Sequence, residues 1–463
     1  MTRASIVSLI AVVATTVLPL CTPLGMHCTA SAQEKTPDGP SRFELPATDD
    51  GLAGSGPIRR YGWFNNLWKA RRAKFFADSV DQQDAVVFLG DSITQGWKDD
   101  FGGDFGDLKT ANRGISGDTT RGMLIRLRED VTSLNPSAVV MLMGTNDLEE
   151  KAEPQTIAEN VGLIISELKK HNDKMPIVLC NIFPSSATKK RPADKIREIN
   201  RLFAKKVKGD AQVTVVDTWT LFANESGDAK KSEFPDLLHP NAAGYAKWKS
   251  AILPVFDTLG LTNPKPDDFA IEPGFVSLFN GKDLTGWGFL PTTEQQKKSR
   301  TRWQSRDKEN APAWPIVETA VAFDGKTVTP GGRYLATNGR LVVTTPPEGR
   351  KIQQLWTTKE FSGDFKLILE FRATPNADSG VFLMKPQLQC RDYALAGPYK
   401  NLKKYKPQDW NELIVVAKNG SARCTCNGEV IEKAFKVPSK GPIGLEGDRG
   451  QIEYRRIRIK ALD

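Results

Sequence analysis

A serine directly follows an apolar run in the stretch AVVFLGDSITQGW, residues 85–97. Ser92 is either a nucleophile or only the cap of the next helix, because aspartate and serine side chains at a helix start accept backbone N–H groups that lack partners. A serine hydroxyl is a weak nucleophile and needs a base beside it. The stretch therefore predicts a catalytic serine only if the rest of the chain supplies that base.

Histidine is scarce, which narrows the choice of base. Of 3 histidines in 463 residues, His27 lies in a predicted signal peptide, so His171 and His239 remain. His171, in KKHND, lies at the charged end of a predicted helix, where a surface position is expected. His239 follows Asp236 in DLLHPN, and a D-x-x-H turn lets the carboxylate hold Nδ1–H and present Nε2. The same residues also fit a helix-entry loop with a surface histidine.

A serine hydrolase also needs hydrogen-bond donors for the oxyanion that develops on the substrate. The stretch NRGISGDTT (112–120) offers the Gly117 backbone N–H, MGTNDL (143–148) offers the Asn146 side chain, and Ser92 offers its own N–H. Simpler roles stay open, since Gly117 also suits a turn and Asn146 also suits a loop carbonyl. Two histidines exclude a zinc centre with the usual number of histidine ligands, and we expect neither a metal nor a cofactor. The G-x-S-x-G pattern of α/β-hydrolases is absent.

Four sequence blocks occur in a fixed order over about residues 57–261: GDS, a glycine-rich turn, GTND and D-x-x-H. Together they resemble the SGNH (GDSL) hydrolase family, and NRGISGDTTRGMLIRL resembles its platelet-activating-factor acetylhydrolase-like and carbohydrate-esterase branches. The resemblance implies a flavodoxin-like α/β fold. It also implies that Ser92 is the nucleophile, that Asp236 and His239 are the acid and base, and that Ser92, Gly117 and Asn146 are the oxyanion donors.

The elements that must position these residues are visible as alternating patterns. Short apolar runs predict strands at 85–89, 138–143, 177–179 and 213–216. Amphipathic spacing predicts helices at 154–170, 192–208 and 242–259. Alternating strands and helices indicate a doubly wound parallel sheet. Its ligand crevice is expected at the carboxyl ends of the strands, where the serine block lies.

The pattern changes after a predicted linker at 262–271, TNPKPDDFAI. Residues 272–463 carry short β-type runs punctuated by Gly, Pro and Asn, which indicates an all-β sandwich or jelly roll. The predicted strands are 365–371, 380–384, 412–416, 422–426 and 451–459. A polar insertion at 291–312 is predicted as a long loop.

Three stretches of this second half, FVSLFNGKDLTGW (275–287), DWNELIVVAKNG (409–420) and GPIGLEGDRGQIEYRRIRI (441–459), resemble the 3-keto-disaccharide hydrolase domain family. The resemblance implies a concanavalin-like jelly roll that binds or cleaves glycans. Many members carry a histidine near the position of Asp448 or Arg449, whereas this half has none. Carboxylates that remain available for catalysis are Glu370, Asp378, Asp392 and Glu446. This half contains the tryptophans Trp287, Trp303, Trp314, Trp356 and Trp410. We expect most of them to pack in the core and one or two to stack on sugar rings.

The first residues have the pattern of a secretory signal peptide. Arg3, an apolar stretch over 5–20 and an A-x-A site ending at Ala32 predict a signal peptide at 1–32 and a flexible leader at 33–56. The predicted location is therefore secreted or periplasmic, with no membrane span after cleavage. In such a compartment one disulfide is expected among Cys390, Cys424 and Cys426, while Cys180 is expected to be a buried thiol.

The net charge of +9 is spread over the chain. It indicates either a solvated basic surface or attraction to an anionic glycan, and export argues against nucleic acid as a partner. The function predicted is a secreted serine esterase that removes acyl groups, in the first place O-acetyl groups, from a carbohydrate. The alternatives are a lysophospholipase or acyl-thioesterase, a two-enzyme chain that also cleaves 3-keto-glycosides, and a glycan-binding protein with an inert hydrolase half.

Overall fold

The structure is a computed structural model that describes residues 42–265, 267–306, 316–345 and 354–462. The predicted signal peptide and the start of the predicted leader lie outside these residues. Within the described part, residues from Phe43 onward form one compact unit.

Five parallel strands form the sheet of the first half, counted over the described residues. They are β1 (Val86–Gly90), β2 (Thr110–Gly114), β3 (Ala138–Leu142), β4 (Ile177–Cys180) and β5 (Val213–Val216). Their spatial order is β2-β1-β3-β4-β5, which is the flavodoxin-like order of a doubly wound sheet. The predicted fold class of this half is confirmed.

Helices cover both faces of this sheet. They are α1 (Gly62–Ala77), α2 (Ser92–Gln95), α3 (Thr120–Asp130), α4 (Thr145–Glu149), α5 (Pro154–His171), α6 (Ala193–Lys206), α7 (Thr218–Phe222) and α8 (Ala242–Thr258). Successive residues of β1 face opposite layers: Val87 and Leu89 pack with α3, α5 and α6, while Val86 and Phe88 pack with α8. Both faces of β1 are buried, which explains why it reads as a continuous apolar run.

Strand β2 and helix α1 were not predicted. Strand β2 has the sequence TANRG and lacks an apolar run, although it is almost entirely buried at the edge of the sheet. Its Arg113 is nevertheless buried and donates from Nε to the Asp130 carbonyl at 2.8 Å. Helix α1 flanks this edge, where Arg71 Nε donates to the Gly114 carbonyl at 3.1 Å.

The described part of the predicted leader packs on the hydrolase half. Asp49 pairs with Arg121 at 2.5 Å, and Asn160 Nδ2 donates to the Ser55 carbonyl at 2.8 Å. These contacts hold the segment before residue 57 against the surface of the hydrolase half.

The second half is a sandwich of antiparallel sheets, as predicted. Its strands are β6 (Val276–Ser277), β7 (Trp287–Phe289), β8 (Val321–Ala322), β9 (Tyr334–Thr337), β10 (Arg340–Val343), β11 (Leu355–Thr357), β12 (Phe361–Ser362), β13 (Phe365–Ala373), β14 (Asp378–Leu383), β15 (Gln387–Arg391), β16 (Asn411–Lys418), β17 (Ser421–Cys426), β18 (Glu429–Lys436), β19 (Lys440–Gly441), β20 (Ile443–Leu445) and β21 (Ile452–Ala461). Over the described residues, one sheet has the order β18-β17-β16-β13-β21-β10-β9 with β6 beside β21. The facing sheet has the order β15-β14-β20-β11-β7-β8.

Two expectations for this half are wrong. The polar insertion is not only a loop, because Glu294–Arg306 forms helix α9. Thr293 and Gln296 form a capping box at its start: the Gln296 N–H donates to Thr293 Oγ1 at 3.2 Å, and the Thr293 N–H donates to Gln296 Oε1 at 2.8 Å. The rest of the insertion, 307–312, lies outside the described residues.

The second correction concerns the cysteines. No disulfide joins the described cysteines: Cys390, Cys424 and Cys426 are free thiols buried in the sandwich core, and Cys180 is free and buried under α8. Each thiol packs as a small apolar group. Burial raises the pKa of Cys424 to about 12, so the thiolate that disulfide exchange requires is disfavoured.

The two halves meet along α8. Asp257 Oδ2 accepts from Arg372 at 2.8 Å, and Glu453 pairs with Arg340 at 2.7 Å and with Arg372 at 2.8 Å. Gln451 Nε2 also donates to a carbonyl and a hydroxyl of α8 at 2.9 Å each. Side chains of both halves therefore share one hydrogen-bonded network. Among the described residues, no helix combines the length and the apolar character that a membrane span requires.

Candidate active site

Ser92, His239 and Asp236 are joined by hydrogen bonds. His239 Nε2 lies 3.0 Å from Ser92 Oγ, and His239 Nδ1 lies 2.8 Å from Asp236 Oδ2. The two ring nitrogens thus face a hydroxyl and a carboxylate, which is the arrangement in which a histidine accepts a serine proton. The side chains of His239 and Asp236 are 44% and 45% exposed, so the site is open to solvent.

Ser92 begins the short helix α2, two residues beyond the end of β1. The cap of this helix is Asp91, whose Oδ1 accepts from the Ile93 N–H at 2.9 Å. Asn112 Nδ2 donates to the Thr94 carbonyl at 2.7 Å, and Tyr245 donates to the Ile93 carbonyl at 2.8 Å. The capping role therefore belongs to Asp91, which leaves the Ser92 hydroxyl for His239.

The histidine and its acid partner share a tight turn before α8. Asp236 Oδ1 accepts from the backbone N–H groups of Leu238 at 3.0 Å and of His239 at 2.8 Å. Leu237 has a φ of 64°, an uncommon left-handed conformation for a residue with a side chain, and its carbonyl accepts from Ser185 Oγ at 2.8 Å. This turn holds Oδ2 of the aspartate against the ring.

Asp236 stays ionised in this turn. Partial burial acts to raise its pKa, but the hydrogen bonds from the His239 backbone and ring and from Leu238 outweigh it, and they lower the pKa of Asp236 to about 2. A permanently charged partner stabilises the imidazolium that forms when His239 takes a proton.

The two predicted oxyanion donors lie in adjacent loops beside Ser92. In the sheet register, Gly90 pairs with both Gly114 and Leu142, so the loops after β2 and β3 flank the loop after β1. Gly117 has a φ of 88°, which favours glycine. Asn146 is buried, and its Nδ2 donates to the Asp118 carbonyl at 3.0 Å. An amide NH₂ has two N–H groups, so this bond leaves one for another acceptor.

Buried acids tie these loops together. Asp118 pairs with Arg126 at 2.8 Å, and Asp147 accepts from the Thr120 N–H and hydroxyl, the latter at 2.6 Å. Burial raises the pKa of Asp118 to about 7 and that of Asp147 to about 6. The loops that carry the two donors are therefore linked to each other and to α3 by polar contacts inside the fold.

Arg191 fixes the orientation of the Asn146 amide. Its Nη2 donates to Asn146 Oδ1 at 3.1 Å, and its Nε donates to the Thr145 carbonyl at 3.0 Å. Because the arginine can only donate, it holds the amide oxygen toward itself and the NH₂ group away. Sequence reasoning assigned no role to this residue, which lies in the basic stretch KKR (189–191), yet Arg191 is buried.

His171, the other histidine outside the predicted signal peptide, is the last residue of α5 and is exposed, as predicted. It does not take part in the contacts around Ser92 described above.

The candidate carboxylates of the second half separate into two groups. Glu370 pairs with Arg455 at 2.7 Å and Arg456 at 2.9 Å, and Asp392 is buried and accepts from the Asn376 N–H at 3.0 Å, so both are structural. Asp378 begins β14 and Glu446 directly follows the paired strand β20, and because Val381 and Leu445 point into the core, both acids lie on the opposite face of this sheet. Asp378 is also buried and pairs with Arg391 at 2.5 Å and with Arg449 at 3.2 Å. The structure thus brings two of the four together.

Two glycines on this outer face let neighbouring side chains lie directly over the backbone. A Cβ on Gly380 would lie 2.2 Å from Gln387 Nε2, and one on Gly444 would lie 2.5 Å from the Trp356 ring, so both side chains lie flat over glycines. Trp356 packs against Phe382 with ring centroids 5.0 Å apart. We call this surface the sheet face. It carries Trp356, Phe382, Gly380, Gln387, Gly444, Asp378 and Glu446.

The other tryptophans of this half have different positions. Trp287 is buried in the core, as expected. Trp410 lies under the Arg455 guanidinium at 4.0 Å from its ring centroid. The side chain of Trp303 and the whole of Trp314 lie outside the described residues.

A serine, a histidine and an aspartate joined by hydrogen bonds at the carboxyl edge of a flavodoxin-order sheet are the groups that a serine hydrolase requires, and comparison with known proteins supports a hydrolase. Residues 88–247 match the GDSL-like Lipase/Acylhydrolase family, and residues 274–460 match the 3-keto-alpha-glucoside-1,2-lyase-like domain. The chain therefore carries a GDSL-type esterase domain followed by a 3-keto-disaccharide hydrolase-type domain.

Several relatives align with the first half only. Platelet-activating factor acetylhydrolase IB subunit alpha2 of Homo sapiens is 28% identical over 190 residues, covering 40% of this chain and 80% of that protein. Subunit alpha1 of Rattus norvegicus is 28% identical over 185 residues, covering 38% and 77%. Among solved structures, a GDSL-like lipase from Bacteroides thetaiotaomicron is 26% identical with a TM-score of 0.37, covering 41% of this chain and 98% of its own.

Proposed function

We propose that this protein is an exported serine esterase that removes acyl groups, in the first place O-acetyl groups, from a carbohydrate. The observation that carries the proposal is the hydrogen-bonded series Ser92 Oγ, His239 and Asp236, flanked by the loops of Gly117 and Asn146. It supplies a nucleophile, a base and oxyanion donors at one edge of the sheet.

The proposed reaction proceeds in two halves. His239 takes the Ser92 proton while Oγ attacks the ester carbonyl, and the oxyanion is stabilised by the Ser92 and Gly117 N–H groups and by Asn146. The imidazolium then donates its proton to the leaving sugar oxygen, which leaves an acyl-enzyme. Water, deprotonated by His239, attacks the acyl carbon and restores Ser92. Asp236 keeps the ring in the required tautomer throughout.

Two observations favour acetyl groups on a carbohydrate. The relatives of the first half are named acetylhydrolases, and the second half matches a domain whose description names a glucoside as the molecule acted on. Export is supported by the sequence of residues 1–32, with its apolar stretch and A-x-A site. Amino-terminal sequencing of the protein produced in its own cells tests export, and a mature form starting near Gln33 is expected.

A substrate series tests the esterase and separates it from the alternatives. We expect rates on p-nitrophenyl esters to fall as the acyl chain lengthens beyond acetyl, and acetate to be released from acetylated xylan or pectin. Rates that rise with chain length instead would favour a lysophospholipase or acyl-thioesterase. A fluorophosphonate probe should label Ser92; absence of labelling would favour a glycan-binding protein with an inert hydrolase half.

We also propose, as a second candidate function, that the sheet face cleaves 3-keto-glycosides. Burial and the neighbouring Asp448 and Asp378 raise the pKa of Glu446 to about 7, which keeps a large fraction of it protonated near neutral pH, as a general acid requires. The test is cleavage of a 3-keto-α-glucoside by the full chain, with loss expected for Glu446→Gln and full activity for Glu432→Gln. Cleavage that Glu446→Gln does not reduce would contradict this assignment.

A further inference from the structure

The segment that precedes α1 runs along the oxyanion side of the candidate active site. The Pro57 carbonyl accepts from Thr119 Oγ1 at 2.7 Å, which fixes the segment to the loop of Gly117. Arg59 then reaches the same loop, since a Cβ on Gly117 would lie 3.1 Å from Arg59 Nη1. Arg59 also pairs with Glu149 and with Glu150, the latter at 2.7 Å.

Two exposed aromatic residues, Tyr61 and Trp63, follow Arg59 in the chain. Trp63 contacts Gly117 directly: a Cβ on the glycine would lie 2.6 Å from Trp63 Cη2. Although it touches the loop of a predicted oxyanion donor, Trp63 is 54% exposed, and neighbouring Tyr61 is 51% exposed. The two rings are nearly parallel, 15° apart, with centroids 6.4 Å from each other. From this geometry we infer that Trp63 and Tyr61 form a subsite that binds the sugar ring of the esterase substrate.

Local packing holds this aromatic pair in place. Trp63 packs edge-on against buried Phe64, with the ring planes at 83°, and the Tyr61 hydroxyl donates to Glu150 Oε2 at 3.2 Å. The rings therefore present a preformed surface beside the oxyanion loop. Binding to a preformed surface requires little ordering of side chains.

The surroundings fit a pyranose ring better than an alkyl chain. Ligand pockets for apolar molecules bury most of the ligand surface, which a half-exposed indole cannot do. A pyranose has one apolar face for the indole and hydroxyl groups around its rim. The carboxylate of Glu150, bonded to the Tyr61 hydroxyl, lies at the edge of the pair and can accept from such hydroxyls. This inference rests on the proposed function, in which a small acyl group leaves the sugar as the large part of the substrate.

The experiment compares two substrate types in the full chain. The variants are Trp63→Ala and Trp63→Phe, and the matched control is Phe76→Ala, which removes a 53% exposed aromatic residue at the opposite end of α1. The substrates are acetylated xylo-oligosaccharides and acetylated cello-oligosaccharides on one side and p-nitrophenyl acetate on the other.

We expect Trp63→Ala to raise KM for an acetylated oligosaccharide about tenfold and to leave kcat/KM for p-nitrophenyl acetate within about twofold. Trp63→Phe should retain part of the affinity, and Phe76→Ala should match the wild type. An unchanged KM for both oligosaccharides, or equal losses on both substrate types, overturns the inference, because equal losses would mean that Trp63 only supports the Gly117 loop. A loss that grows with acyl chain length would assign the rings to the acyl group and also overturn it.

An inhibition measurement separates this inference from the proposed function. Unacetylated xylo- and cello-oligosaccharides are tested as inhibitors of p-nitrophenyl acetate hydrolysis, which requires only a working esterase. We expect competitive inhibition by at least one of them, with an inhibition constant about tenfold higher in Trp63→Ala. If no acetylated sugar is deacetylated, the proposed function is wrong. The inhibition measurement still tests whether Trp63 and Tyr61 bind a sugar ring. Absence of inhibition in the wild type overturns the subsite alone.

Discussion

The two halves of this protein present functional groups in different ways. In the first half, loops from separate strands bring Ser92, His239, Gly117 and Asn146 to one edge of a parallel sheet. In the second half, candidate residues lie along the strands of one antiparallel face, where glycines let side chains lie directly over the backbone.

This difference determines how far each site can be inferred from residues alone. A nucleophile and its base need particular residue types, so their scarcity in the chain is informative. A sheet face combines common carboxylates, amides and aromatics, and only strand register shows which of them point the same way. Four predictions test the site of the first half, its independence from the second half and the contact between the two.

The largest effect is expected at the nucleophile. Ser92→Ala should lower kcat on p-nitrophenyl acetate by about 10⁴- to 10⁶-fold, because no other group can form the acyl-enzyme. Cleavage of a 3-keto-α-glucoside by the sheet face should not change. Ser250→Ala, which alters an exposed serine of α8, is the control and should leave both rates unchanged. A Ser92→Ala protein that keeps its esterase activity would refute the assignment.

A smaller loss is expected at the oxyanion donor. Asn146→Ala should lower kcat on p-nitrophenyl acetate by about 10²- to 10³-fold, with little change in KM, because the donor acts mainly on the charge of the transition state. Steady-state kinetics measure both constants. Asn172→Ala, at the end of α5, is the matched control. A change confined to KM would show that Asn146 binds the ground state and would contradict its proposed role.

The boundary between the halves should affect stability rather than catalysis. Asp257→Ala leaves Arg372 without one of its two acidic partners, and we expect the free energy of unfolding to fall by about 2 kcal/mol. Calorimetry should show the unfolding transitions of the two halves moving apart, while esterase kcat is unchanged. Asp268→Ala in the linker serves as the control. An unaltered thermogram would mean that the halves unfold independently of this contact.

The smallest expected effect is on the pH dependence of the free energy of unfolding. Burial raises the pKa of Asp91 to about 6 from its ordinary value of 3.8. Between these values the folded protein binds the proton more tightly than the unfolded chain does, so this group makes the protein less stable as pH rises from about 4 to about 6. Asp91→Asn should remove that contribution, which amounts to at most about 1.4 kcal/mol per pH unit. Denaturant unfolding at several pH values measures it.

The matched control for the slope is Asp100→Asn, because Asp100 is also a capping aspartate but is exposed. Its slope should equal that of the wild type. If Asp91→Asn leaves the slope unchanged, Asp91 is already ionised at pH 4 in the folded protein.

Sequence reasoning predicted the fold class, four strands and three long helices of the first half and five strands of the second half, but it missed many shorter elements as well as β2, α1 and α9. Strand β2 was not predicted because no apolar run marks it. Its buried Arg113 is tolerated since Nε donates to the carbonyl of Asp130 at the end of α3. Helix α9 carried a readable capping box at Thr293 and Gln296 that was overlooked. The disulfide expected among three cysteines was wrong because all three pack as apolar core residues.

The candidates for nucleophile, base and acid could be named from the residues alone, because a serine needs a base and two histidines follow the predicted signal peptide. Their catalytic roles stay predictions. The folded chain was needed to see that Asp91 caps α2 in place of Ser92, that Arg191 orients Asn146, and that Trp63 lies against Gly117. These contacts join residues far apart in the chain, and such contacts depend on how strands and helices pack rather than on local spacing.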